Sequence, residues 1–142
     1  MNRALILIAL MLVPQIAEAF SEPAKGSAER RALMDALRPL AEAKLGAPVE
    51  FVVQELRVEG RAAYAMVAPQ RPGGGQIDLY ATPMVQREGM DPAYMDGANM
   101  QALLLKEGNT WVAVDWRIGA TDAWWADPAN CRNWGAVLPE LC

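Results

Sequence analysis

The chain contains no histidine. That removes the side chain most used for proton transfer near neutral pH and for metal binding. Cysteine occurs only 2 times, too few for a four-thiolate zinc site. Basic charge is also short: 13 lysines and arginines face 17 aspartates and glutamates, a net charge of -4. Nucleic-acid binding needs a basic footprint, so no nucleic-acid partner is expected. Past the N-terminal segment, no apolar run is long enough to cross a bilayer. General disorder is excluded as well, because apolar residues make up 53% and charged residues 21%.

The clearest positive signal is at the start. Arg3 precedes an apolar run from Ala4 to Val13, which Pro14 breaks, and Ala17-Glu18-Ala19 follows. A charged start, a short apolar stretch and an Ala-x-Ala site predict a Sec signal peptide over 1–19, cut after Ala19. The run is too short for an anchor helix. No cysteine lies at the cut and no arginine pair precedes the run, which excludes lipoprotein and twin-arginine signals. The expected location is the periplasm or outside the cell, with no stable membrane span after cleavage. The remainder, about 120 residues, fits one domain. Residues 20–26 read as a polar, disordered lead-in, and 27–142 as a single domain.

In an exported protein, Cys131 and Cys142 are expected to form a disulfide. They bracket the segment from Arg132 to Leu141. The bridge would tie the tail to the domain, stabilising it by about 3 kcal/mol on the chain-entropy model. A redox pair would favour Cys-x-x-Cys spacing and a nucleophile would need a base, and neither is visible.

Along the domain, Ser27 reads as a helix N-cap and Glu29 as first-turn negative charge. Leu33, Leu37, Leu40 and Leu45 form an amphipathic stripe. Pro39 should kink or divide the helix, and Gly46 and Pro48 end it. Glu50–Glu59 and Arg61–Ala68 predict a β-hairpin turning at Gly60. Pro69 to Gly75 reads as a loop, and a short third strand is expected at Gln76–Ala81. Thr82 to Asn99 is irregular, with a helical turn near Pro92 to Met95 that Asp91 caps. Met100–Lys106 and Thr110–Ile118 predict a second hairpin. Its alternation places Val112, Val114, Trp116 and Ile118 on one face, with Val114 buried near Leu37. Thr121 or Asp122 is expected to cap a short helix through Trp124 and Trp125. The predicted fold class is α+β: one N-terminal amphipathic helix on a curved antiparallel sheet of about four or five strands, with a disulfide-tied C-terminal tail.

A helix followed by a curved sheet resembles the cystatin-like architecture. The hairpin from Ala102 to Asp115 also resembles the closing hairpin of NTF2-like domains. That superfamily spans enzymes and non-catalytic modules, so the resemblance implies no activity. Its members enclose a cone-shaped pocket with extra N-terminal helices. This chain has room for one helix, or one split at Pro39, so a deep pocket is not expected.

All 5 tryptophans fall late: Trp111, Trp116, Trp124, Trp125 and Trp134. The simpler reading is a second small core that packs the tail. The functional reading is a ligand platform, since exposed indoles stack on sugar rings. Trp124 and Trp125 cannot share one helix face, so one is expected to reach solvent and contact a ligand. Asp78, Asp96, Asp115 and Asp122 are the carboxylates near strands and turns. A glycosidase needs two facing each other, and no motif singles out a pair. Asp115 reads as a solvated face and Asp122 as a turn or cap residue. No catalytic residue is therefore assigned. Gly73-Gly74-Gly75 lacks the Lys-Ser or Lys-Thr of a phosphate loop. Met84, Met90, Met95 and Met100 are not reinforced by His or Cys as copper ligands, and Asp91 to Asn99 lacks a calcium loop's dense alternation. No metal or cofactor is expected.

The expected function is non-catalytic binding of a protein or a cell-envelope glycan. One alternative is an inhibitor of a secreted or envelope enzyme, marked by a protruding polar loop such as Pro69 to Gly75. The other is an NTF2-like enzyme using an aspartate with Tyr64 or Tyr80, marked by two carboxylates converging in a pocket.

Overall fold

The computed structural model describes residues 20–142. The signal peptide expected over 1–19, and its cut after Ala19, lie outside the described residues. Helix α1 spans Ala28–Leu45. The Ser27 hydroxyl accepts from the Arg30 N–H at 3.2 Å, so the expected cap is in place. Leu33, Met34, Leu37, Ala41 and Leu45 are buried, at the spacing of one helix face. Pro39 does not divide the helix. It sits on the exposed side, where water can take up the carbonyl bond that proline cannot make.

The end of α1 is closed from a distance. Gly46, at φ 80, donates its N–H to Glu42 O at 2.8 Å. The Arg71 guanidinium donates to Leu45 O at 2.8 Å, Gly46 O at 2.5 Å and Pro48 O at 3.1 Å. A cation on carbonyls that the helix cannot satisfy is favourable twice over, through hydrogen bonding and the helix dipole. It also anchors the base of the glycine-rich loop.

The sheet has four strands in the order β1-β2-β3-β4, each antiparallel to the next. These are β1 Glu50–Glu59, β2 Ala62–Gln70, β3 Met100–Glu107 and β4 Thr110–Ile118. Pro69 and Gln70 thus belong to β2 and not to the loop. The strand expected at Gln76–Ala81 is absent. Asp78 accepts from Tyr80 N at 3.1 Å and turns the chain into a 3-10 turn at Leu79–Ala81. A short side chain that bonds its own backbone competes with strand pairing. Helix α2, Pro83–Gln86, follows.

Two β-bulges change which residues face the core. In β1 the register passes from Val53↔Val67 to Glu55↔Met66, leaving Gln54 extra. In β4 it passes from Leu104↔Ala113 to Leu103↔Asp115, leaving Val114 extra. A single extra residue reverses alternation on one side of it. Trp111 and Ala113 therefore face α1 together with Trp116 and Ile118. Val112 and Val114 point away, and Val114 is 54% exposed. The expectation that Val114 shares Leu37's cluster is corrected by that bulge. Val114→Ala should shift stability by less than about 1 kcal/mol in chemical denaturation, as surface sites do.

Both faces of the sheet are covered. On one, α1 packs through Leu33, Leu37 and Leu45 onto Ala65, Val67 and Leu104. On the other, Ala62, Tyr64 and Leu103 pack against Trp134, Val137 and Leu138 of the tail. The tail comprises 3-10 turns at Trp124–Ala126 and Pro128–Asn130, then α3 at Cys131–Trp134. Cys131 and Cys142 are disulfide-bonded, with Cα atoms 5.6 Å apart. The tryptophans therefore divide between the two faces. Phe20–Gly26, expected as a disordered lead-in, is pinned to the edge strand β1. Ser21 and Val58 exchange backbone bonds of 2.8 and 2.9 Å, and Pro23 is buried. Such cover removes free backbone groups from a sheet edge.

Arg57 joins the N-terminal segment, β1 and the tail. Its guanidinium pairs with Glu55 and, at 2.6 Å, with Glu140. It also donates to Val137 O at 3.0 Å and lies 4.7 Å above the Phe20 ring. Burial pushes the Glu140 carboxyl up. Hydrogen bonds from its own backbone N–H and from Arg57 outweigh that and hold it below its ordinary value of 4.5. A carboxylate lowered in the folded state stabilises above its unfolded pKa, and the gain is lost as pH falls through the folded one. Melting temperature should therefore fall as the solution is acidified below the ordinary glutamate range, and Glu140→Gln should flatten that fall. A wild-type and variant difference that is the same at every pH would reject the latch.

Candidate functional site

One cleft gathers chemistry that the fold does not use. It opens on the tail side, where the chain enters β3 and leaves β4. The two flanking segments are stitched together: Asp96 N donates to Gly119 O at 2.9 Å, and Gly119 N to Asn99 O at 2.8 Å. Gly119 is at φ 70. A Cβ there would lie 2.7 Å from Met95 Cε and 3.0 Å from Gly97 O, so only glycine permits this approach. The resulting cleft has a volume of about 520 Å³. Met66, Met95, Asp96, Asn99, Gln101, Thr121, Asp122 and Trp125 line it, with Ala120 and Ala123.

Trp124 and Trp125 take different parts. Both are half-buried within a 3-10 turn, their rings edge-to-face at 6.1 Å. Neither Thr121 nor Asp122 caps that turn, correcting the expectation; its N-cap is Ala123, with no side-chain bond. Trp125 rests on Tyr64, ring centroids 6.0 Å apart, and lines the cleft. Trp124 braces it from behind. Its indole N–H donates to Gln101 Oε1 at 3.4 Å, and the Arg117 guanidinium lies 5.0 Å from its ring.

The aspartates also separate. Asp35 pairs with Arg38, while Asp78, Asp91 and Asp127 each accept a backbone N–H two residues on. Asp115 accepts from Trp116 N and pairs with Arg117. Among the described residues, the Asp96 and Asp122 side chains alone of the aspartates have no hydrogen bond or ion pair. Both line the cleft.

Gln101 was not singled out from the sequence. It is 5% exposed, one of two buried polar residues among those described. Its Oε1 accepts from the Trp124 indole N–H at 3.4 Å, the residue lines the cleft, and no buried side-chain polar atom among the described residues lacks a partner. A polar residue inside the otherwise apolar run Met100–Leu105 was the available signal. It reads as an outward position until one knows that both sheet faces are covered.

Of the residues named for the enzyme alternative, two carboxylates, Asp96 and Asp122, do line one cleft, but neither Tyr64 nor Tyr80 joins them there. Tyr64 lies beneath Trp125, and burial, then the Glu55 charge, pushes its hydroxyl well above the usual tyrosine range. Its hydroxyl therefore keeps its proton near neutral pH and offers no base there. Tyr80 is 65% exposed and outside the cleft lining. The methionines scatter as well: Met84 and Met100 are core, Met90 is exposed and Met95 lines the cleft. No group of three or more metal-binding side chains occurs among the described residues.

Two other clefts offer less. One of about 360 Å³, beside the glycine-rich loop, is lined by no charged side chain. One of about 380 Å³, near the end of α1, has its charges paired, Lys44 with Glu88 at 2.7 Å and Arg117 with Asp115. No described helix is long and apolar enough to cross a membrane. Comparison with family models, curated proteins and solved structures finds no match to the chain.

Proposed function

We propose that the chain is an exported, non-catalytic binding domain whose ligand is a cell-envelope glycan held against Trp125. Export is supported by the signal pattern of residues 1–19 and by a disulfide suited to an oxidising compartment. The binding reading rests on one observation: the cleft sets an indole beside two carboxylates, Asp96 and Asp122, that have no hydrogen bond or ion pair among the described residues. A pyranose offers an apolar C–H face and a rim of hydroxyls. The indole suits the first. Asp96, Asp122 and Asn99 can accept from hydroxyls, and the Gln101 amide can donate to one. None of these contacts requires a reacting group.

The test is titration of the purified exported protein with envelope-type oligosaccharides, followed by tryptophan fluorescence and calorimetry. Trp125→Ala should weaken binding about tenfold or more, the equivalent of about 1.4 kcal/mol. It should keep a cooperative melt, because its ring is only half-buried. Failure of the folded wild-type protein to bind any such glycan would overturn the reading.

A further inference from the structure

We infer that the Asp115 and Arg117 side chains form a clip that holds the β4 edge shut against strand pairing with a second copy of this chain. The inference is independent of the glycan reading and concerns a different surface.

The two edges of the sheet are defended differently. β1 is bonded at Val58 by Ser21, and it carries Glu50, Glu55 and Glu59 against one cation, Arg57. Two copies of β1 would repel each other. At the other edge, β4 runs for 9 residues, and no strand lies beyond it among the described residues. Its one acid, Asp115, is matched by its one base, Arg117. Val112 and Val114 are 42% and 54% exposed. A long edge with exposed valines and no excess charge is open to pairing. A second copy brings the same valines and the same neutrality, so neither sterics of charge nor polarity turns it away.

Pairing starts at backbone groups that point outward, and at Trp116 these are already taken. The Trp116 N–H donates to Asp115 Oδ1 at 2.9 Å, and the Arg117 guanidinium donates to Trp116 O at 2.8 Å. Arg117 also pairs with Asp115, so the two side chains close over one residue. Trp116 sits opposite Ala102 of β3. In an antiparallel ladder alternate residues turn both backbone groups away from the neighbouring strand, which puts both of these bonds on the free side. An incoming strand must break them before it can pair there. The bulge at Val114 disturbs the register just beside them. The Trp124 ring, 5.0 Å from the Arg117 guanidinium, helps to hold the clip in place.

The experiment follows the mass of the purified exported protein over a concentration series, together with hydrogen exchange at the Trp116 amide. The wild type should stay monomeric throughout. Asp115→Ala with Arg117→Ala should dimerise as concentration rises. When dilute, its Trp116 amide should exchange about tenfold faster than in the wild type, and it should slow again as the dimer forms. Adding Val114→Lys places a charge on the edge and should restore the monomer. Asp115→Ala alone leaves Arg117 on Trp124 and should also associate, more weakly; it carries the test if the double variant loses its cooperative melt. A folded variant without the clip that is monomeric at every concentration would overturn the inference, as would a wild-type dimer protected at Trp116. A variant dimer indifferent to Val114→Lys would place the contact elsewhere and reject the β4 edge. Protection of Trp116 by an unrelated valine-rich peptide, but not by concentration, would reject the second copy as the occupant.

Discussion

Trp134→Ala is expected to lower stability by about 3–5 kcal/mol, the range for a large aromatic removed from a core. For a domain of this size that is a melting-temperature drop of about 10–25 °C. Trp134 is 5% exposed and packs with Val137 and Leu138 against Tyr64 and Leu103. Its indole N–H donates to Leu104 O at 2.9 Å, reaching from the tail into the middle of β3. Truncation would leave a cavity on the sheet's second face and strand a buried carbonyl, and the two costs add. Trp125→Ala should cost clearly less, because its half-buried ring borders an open cleft. The contrast between the two substitutions measures how far the tail is core. If Trp134→Ala melts within about 1 kcal/mol of wild type, the second face is not a core layer.

The parts of the fold that were legible in the sequence are those written in local pattern. The leucine spacing marked α1, and the alternating runs around Gly60 and Gly108 marked both hairpins. The bulges were not legible. A period-two count carries no sign that Gln54 or Val114 is an extra residue, so it placed Val114 in the core. The absent third strand was hidden for a similar reason. Ile77 and Leu79 alternate like a strand, but the Asp78 side chain bonds the backbone and wins locally. The run of late tryptophans marked a second small core that packs the tail, and Trp134, Val137 and Leu138 form one; that it covers the sheet's second face was hidden, because these residues carry no strand or helix period long enough to read. Among site residues, Trp125 was visible from composition. Asp96 and Asp122 were visible as carboxylates. What distinguishes them from Asp78, Asp91, Asp115 and Asp127 is the lack of a partner, which only the packed chain determines. The cysteine pair was readable from export context, and the bridge is present.

Gly119→Ala is expected to damage fold and cleft together. At φ 70 an alanine carries a left-handed penalty of about 1–2 kcal/mol. Its methyl would also meet two neighbours. Met95 Cε, at 2.7 Å, is the end of a flexible side chain and can swing aside, but Met95 Cβ, at 3.0 Å, moves only with its backbone. Gly97 O, at 3.0 Å, is backbone and cannot yield without moving its segment. Overpacking of this kind costs about 1–3 kcal/mol more, for a total near 2–5 kcal/mol. The movement has a direction that matters for binding. Pushing Gly97 away from Gly119 strains the bonds from Asp96 N to Gly119 O and from Gly119 N to Asn99 O. Those two bonds place Asp96 and Asn99 on the cleft wall opposite Thr121 and Asp122. Gly119→Ala should therefore lose stability and glycan affinity in one step, whereas Trp125→Ala loses mainly affinity and Trp134→Ala mainly stability. Denaturant melts and titrations on the three variants would separate these outcomes. A Gly119→Ala protein that melts and binds like wild type would show that the two segments do not hold each other, and the cleft would lose its physical basis.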